Sequence, residues 1–245
     1  MNKYRICCQG IYGDCSERTY CFRSKYREMQ FQTRKSLVAD FLGELDSILT
    51  QFDKEIDAAS VHQGKQIIDK LTGALYLGEL VRRILSQLVL DRVLFDGQPC
   101  EKLDEPDAFP TKYISEILAE EEDSYKSCRR ICDELDVPMH GSGDYHIIRD
   151  VCYAVSDRSA AIVAAAISAL LRHLDVSRVK IGVGGALIQF HPIYHKLLHD
   201  KLVDLAPLGT ERRAITVWVE HASAAGTAMA RRSYGFLNNR PPLVR

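Results

Sequence analysis

Apolar residues at Ile67, Ile68, Leu71, Leu75, Val81, Ile84, Leu85 and Leu88 recur mostly at the three- and four-residue spacing of one helix face. The spacing predicts a long amphipathic helix over about residues 65–95, with Gly64 before it and the turn Phe95-Asp96-Gly97-Gln98-Pro99 after it. Upstream, Phe52-Asp53-Lys54-Glu55-Ile56-Asp57 reads as a charged loop. Leu37, Phe41, Leu45, Ile48 and Phe52 form one stripe of a helix over 36–52. Two glycines interrupt the long helix, and each costs about 1 kcal/mol against alanine. Gly73 and Gly78 therefore mark places where something approaches the backbone, either another helix, the commoner case, or a ligand.

Further along, helices are expected over 111–121, with Thr111 as N-cap behind Pro110, and over 124–135. Pro138 to Gly143 reads as a loop. Asp144 should then cap an alanine-rich helix running to Leu174. Val179 to Val183 is a predicted strand ending in Gly184-Gly185, His191-Pro192 opens a helix to Leu205, and Ala214 to Val219 is a second strand. A last helix is predicted from Ser223 to Arg232. The second half thus alternates strand and helix, the signal of an α/β layer, while the first half is helical. Met1 to Arg34 shows no period of 2 or 3.6, and residues 1–42 are set apart as a diverged N-terminal segment expected to be irregular. The main domain is drawn over 43–235, with 236–245, including Pro241-Pro242, as a flexible tail.

Composition narrows the classes. The chain has 245 residues, enough for one large domain or two small ones, and a net charge of −1 that favours neither nucleic acid nor an anionic membrane. The start lacks the apolar core of a signal peptide, and the run Ala160 to Leu171 is too short to span a bilayer, so the expectation is a cytoplasmic chain without a membrane span. There are eight cysteines but no Cys-x-x-Cys pair, so reduced thiols are expected instead of a structural zinc site. His191, His195 and His199 share a helical spacing, but no His-Glu-x-x-His order accompanies them. They are read as a solvated face, and no metal site is assigned.

Two strand-to-helix turns stand where α/β sheets hold ligands: Gly184-Gly185-Ala186 and Ala222-Ser223-Ala224-Ala225-Gly226. The second could offer backbone N–H groups and the Ser223 hydroxyl to a phosphate or ribose. Small residues in a turn also serve packing alone.

Gly73-Ala74-Leu75-Tyr76-Leu77-Gly78-Glu79, preceded by the Phe52-Asp53 segment, resembles the hexokinase family, whose motif here is Gly-x-x-Tyr-x-Gly-Glu. The order continues. Phe109-Pro110-Thr111 to Ser115 is similar to an adenosine-facing segment, Val155-Ser156-Asp157-Arg158 to a buried helix, and Gly182-Val183-Gly184-Gly185 with His191-Pro192 to a strand-turn segment. Ser223 and Gly226 match a nucleotide-binding turn in which Ala222 and Ala224 replace glycines. The resemblance covers roughly residues 43–232. It implies an α/β fold, the C-terminal part of an actin-like ATPase (ribonuclease H-like) fold, helix-rich and without the small lobe. It also implies ATP-dependent phosphorylation of a hexose such as glucose, with Mg²⁺ on the nucleotide. Asp69 falls at a sugar-binding carboxylate; Thr111, Ser115, Ser223 and Gly226 fall at nucleotide contacts.

The sequence also departs from the family. Its phosphate loop, Thr-Lys sugar pair and Asn-Asp catalytic pair are absent, Lys35 stands at a sugar-binding glutamate, and Leu75 replaces a lysine near the nucleotide. No catalytic residue is assigned, and little or no kinase activity is expected of this chain alone. The alternative reading is a truncated, non-catalytic remnant that binds sugar or nucleotide or is regulatory, or an incomplete gene model.

Overall fold

The computed structural model describes residues 4–7, 20–21, 47–121, 124–137, 141–173, 179–205 and 214–218. The chain divides into two compact units, one gathering Met1–Ile48, Ala169–Gln189 and Ala206–Arg245, the other Leu49–Ser168 and Phe190–Leu205.

The second unit is helical. Its first helix, α1 (Gln51–Ala59), occupies the stretch predicted as a charged loop. A capping box is the reason. The Asp53 N–H donates to Thr50 Oγ1 at 3.3 Å, and the Thr50 N–H donates to Asp53 Oδ2 at 2.7 Å. Leu49 and Thr50 are non-helical, so the predicted 36–52 helix stops before α1; its residues 36–46 lie outside the described residues.

The predicted 65–95 helix is two helices, α2 (Ile67–Thr72) and α3 (Ala74–Leu90). Gly73 is extended at ψ 138, and its N–H closes on the Asp69 carbonyl at 2.6 Å. The break starts a new helical phase. The buried stripe of α3 is Leu77, Val81, Leu85 and Val89, while Leu75 is 79% exposed. After α3 comes a 3-10 turn, Phe95–Gly97, with positive φ at all three residues. Short α4 (Glu101–Asp104) follows, then α5 (Thr111–Ala119) and α6 (Lys126–Glu134), both inside their predicted ranges. The N-cap of α5 is Pro110, not Thr111, which is the first helical residue. Ile114, Ile117 and Ile131 of α5 and α6 join Leu71, Leu77 and Leu85 in the core.

Helix α7 runs Ser142–His173, starting two residues before Asp144, which lies inside the first turn and accepts the Phe95 N–H at 3.4 Å. Among the described helices it alone is long and apolar enough to cross a membrane; half of its most apolar window is buried within the protein, and Asp157 and Arg158 on it form ion pairs.

The first unit carries a parallel four-stranded sheet, β1 (Tyr4–Cys7), β2 (Tyr20–Cys21), β3 (Val179–Val183) and β4 (Ala214–Trp218), in the order β2-β1-β3-β4. β3 and β4 match the predicted strands. β1 and β2 lie inside the 1–42 segment expected to be irregular. In chain order, α8 (Ala186–Phe190) and α9 (Tyr194–Leu205) follow β3. His191-Pro192 thus precedes α9 as a turn and does not open it. The predicted helix over 223–232 lies outside the described residues.

Candidate functional site

Gly78 is where two backbones meet. A Cβ there would stand 2.2 Å from the Phe109 carbonyl oxygen and 2.5 Å from the Thr111 nitrogen, so only glycine admits the N-terminus of α5 against α3. Of the two approaches expected at this glycine, a helix is the one found. Thr111 completes the junction. Its hydroxyl donates to the Ala74 carbonyl at 2.5 Å and accepts the Gly78 N–H at 2.8 Å. Ala74 and Gly78 are the i and i+4 groups of the first turn of α3, the pair a helix joins directly. With its proton committed to Ala74, Thr111 can offer a ligand only a remaining lone pair. Ser115, one turn along α5, is half-buried, and its hydroxyl has no partner among the described residues.

Asp69 approaches the same junction from α2. Its main-chain carbonyl holds the Gly73 N–H, one residue before Ala74. Its carboxylate, in the first turn of α2, is exposed and has no side-chain partner among the described residues. At the break between α2 and α3, Asp69 thus bonds Gly73 and Thr111 bonds the next residue, Ala74, while Leu75 is exposed. Ser223 and Gly226 lie outside the described residues, as does Lys35. Gly185, after β3, has φ +115 with open space around its missing side chain.

A family profile described as hexokinase matches residues 21–232, well over half of the chain. The chain belongs to the hexokinase family. It is 41% identical to a Brugia malayi hexokinase over 184 residues, covering 75% of this chain and 32% of that protein. A Schistosoma mansoni hexokinase is 37% identical over 169 residues, 69% of this chain and 38% of its own length. The chain thus spans about a third of the length of these relatives. Among solved structures, a Schistosoma mansoni hexokinase complexed with glucose superposes with a TM-score of 0.67 at 33% identity, covering 76% of this chain and 42% of that one. The fold is accordingly that of the hexokinases, the actin-like ATPase fold, in part.

Within this hexokinase-family chain, ion pairs, buried or half-buried, tie α1 to α7 and to α3. Both Asp53 oxygens accept from Arg158 of α7, at 3.0 and 2.7 Å. Glu79 accepts from Arg82 at 2.6 and 2.7 Å, from Arg83 at 2.8 Å and from the Asp107 N–H at 3.0 Å. Burial pushes the Glu79 carboxyl up, but the Arg82 and Asp107 hydrogen bonds outweigh it and hold the group below the usual range. Arg82 also donates to the Leu103 carbonyl at 3.1 Å, and Arg83 to Glu55 of α1 at 2.9 Å. Glu79 belongs to the motif that carried the resemblance, and its role here is to brace α3.

His191 is not solvated. It is 5% exposed, and burial lowers its pKa to about 4. Its hydrogen bonds fix its tautomer. Ser156 Oγ donates to the Cys152 carbonyl at 2.8 Å, so at 3.0 Å it accepts from His191 Nε2–H, while Nδ1 accepts the Ile193 N–H at 3.4 Å. Tyr194 makes a parallel tie to Ser159 at 2.8 Å. Both are pins from α7 to the start of α9. His195 and His199 are exposed, as expected. Among the described residues no three His, Cys, Asp or Glu side chains converge to hold a metal. Cys100, Cys128, Cys132 and Cys152 are buried free thiols.

Proposed function

We propose that this chain supplies part of the hexose- and nucleotide-binding wall of a kinase that transfers the γ-phosphoryl of MgATP to a hexose such as glucose. The observation that carries the reading is Asp69: an exposed, unpartnered carboxylate at a glycine-broken helix junction, at the position where the family resemblance puts a sugar-binding carboxylate. A carboxylate accepts hydrogen bonds from paired sugar hydroxyls without competition from a neighbouring cation. Ser115, with its open hydroxyl, is a nucleotide contact by the family resemblance, which also puts nucleotide contacts at Ser223 and Gly226, outside the described residues. Thr111 joins them only as a brace of the wall, because its proton is already used. Mg²⁺ arrives with the nucleotide as part of the substrate.

Phosphoryl transfer also needs a positioned base and a cradle for the terminal phosphates. Residues 1–245 contain neither the family's phosphate loop nor its Asn-Asp pair. This chain by itself is therefore a binding module with little or no turnover. A coupled assay with glucose and MgATP tests this: turnover in the ordinary kinase range, about 1–100 s⁻¹, overturns it. Calorimetric titration with glucose and with ATP separates a binding module, which releases or absorbs heat on titration, from an inert one.

A further inference from the structure

Asp69 stands on a helix too short to place itself. α2 has six residues, against the roughly 12–15 that an isolated helix needs in water. Its N-cap, Gln66, is left-handed at φ 55 and makes no side-chain capping bond; its C-cap, Gly73, is extended. What orients α2 comes from outside it. Leu71 is buried at 1% exposure. Lys70, the neighbour of Asp69, has a side chain only 4% exposed. Its ammonium donates to Asp57 Oδ1 at 2.5 Å and to the His62 carbonyl at 2.7 Å. Both oxygens of Asp57 accept the Gly64 N–H, at 3.0 and 2.9 Å. One carboxylate thus fastens the last turn of α1, the loop from Ser60 to Gln66, and α2.

A buried ammonium cannot give up such a partner cheaply, because an uncompensated charge in the interior is strongly unfavourable. Consecutive residues on a helix point about 100° apart. Holding Lys70 inward against Asp57 therefore sets the direction of Asp69 beside it. We propose that Asp57 and Lys70 are positioning residues for the hexose-binding carboxylate of Asp69. The proposal rests on the reading of Asp69 given above.

The test is glucose calorimetry on the full chain, on Asp69→Asn, Asp57→Asn, Lys70→Met and the Asp57→Asn/Asp69→Asn double variant. Asp57→Asn and Lys70→Met are each expected to weaken glucose binding at least about tenfold. The double variant is expected to bind no worse than Asp69→Asn, since both changes act through one carboxylate; losses that multiply overturn the proposal. Lys70→Met removes the buried charge and keeps an apolar stem, so it decides the matter if Asp57→Asn does not fold. Amide hydrogen exchange gives a second reading. Residues 67–72 should exchange at least about tenfold faster in Lys70→Met than in the parent, with the first turns of α1 unchanged. Unaltered exchange there overturns the clamp whatever glucose does. A parent chain that binds no glucose, or an Asp69→Asn variant that binds it normally, overturns the assignment of Asp69 and the proposal with it. Loss in Asp69→Asn with normal binding in Asp57→Asn and Lys70→Met overturns the positioning alone.

Discussion

Replacing Gly78 by alanine sets two effects of opposite sign against each other. Helix propensity alone favours the alanine by about 1 kcal/mol. The new methyl would stand 2.2 Å from the Phe109 carbonyl oxygen, 2.5 Å from the Thr111 nitrogen and 2.8 Å from the Pro110 carbonyl carbon. All three are main-chain atoms of the turn that opens α5, so no side chain can swing aside. The start of α5 must instead move away from α3 by about 1 Å, which costs about 1–3 kcal/mol as overpacking. The movement also stretches both hydrogen bonds of the Thr111 hydroxyl, each worth about 1 kcal/mol. The net expectation is a loss of about 3 kcal/mol, measured as the shift in urea midpoint at constant slope. Gly143→Ala is the control. It lies in the first turn of α7 with nothing within 4 Å of the added carbon, so propensity acts alone and should stabilise by up to about 1 kcal/mol. A Gly78→Ala protein as stable as the parent, or more so, would refute the reasoning.

Two further outcomes follow from the buried polar groups. The His191 pKa is lowered to about 4 from 6.5, so on acidification the unfolded chain takes up the proton first. Its contribution is complete above pH 6.5 and is lost as pH falls towards 4, by about 2 kcal/mol at pH 5. His191→Gln, which keeps a donor for Ser156, should flatten the dependence of stability between pH 7 and 5; an unchanged slope would show that His191 titrates as if in water. Glu79→Gln leaves Arg82, 6% exposed, without its carboxylate and should cost about 3 kcal/mol in thermal or urea unfolding. A loss below about 1 kcal/mol would mean that this network does not brace α3.

The sequence determined the elements whose bonds and burial are local. Periodicity and flanking Gly or Pro place α5, α6 and α7 to within two or three residues, because a helix closes its hydrogen bonds within its own turns. The ordered motif around Gly78 and Glu79 was sufficient to name the family and the cost of a glycine in mid-helix to demand a close neighbour. The capping box at Thr50 and Asp53 was also legible as Ser/Thr-x-x-acid, though the density of charge over Phe52 to Asp57 concealed it.

Only the tertiary structure decided the rest, because the deciding partner is remote along the chain. β1 is a strand through its pairing with β3, Tyr4 against Val179, which no local window contains. The apolar period runs through Gly73 unbroken, so the α2–α3 break shows only in the folded chain. His191 is buried and neutral because α7 brings Ser156 to it across 35 residues of sequence. The hydroxyl of Thr111 reads as a cap or a ligand contact until Ala74 and Gly78 are placed on either side of it. A helix states its own existence in residues three and four apart; which face meets what, and which polar group is left unpaired, depends on neighbours that folding alone brings near.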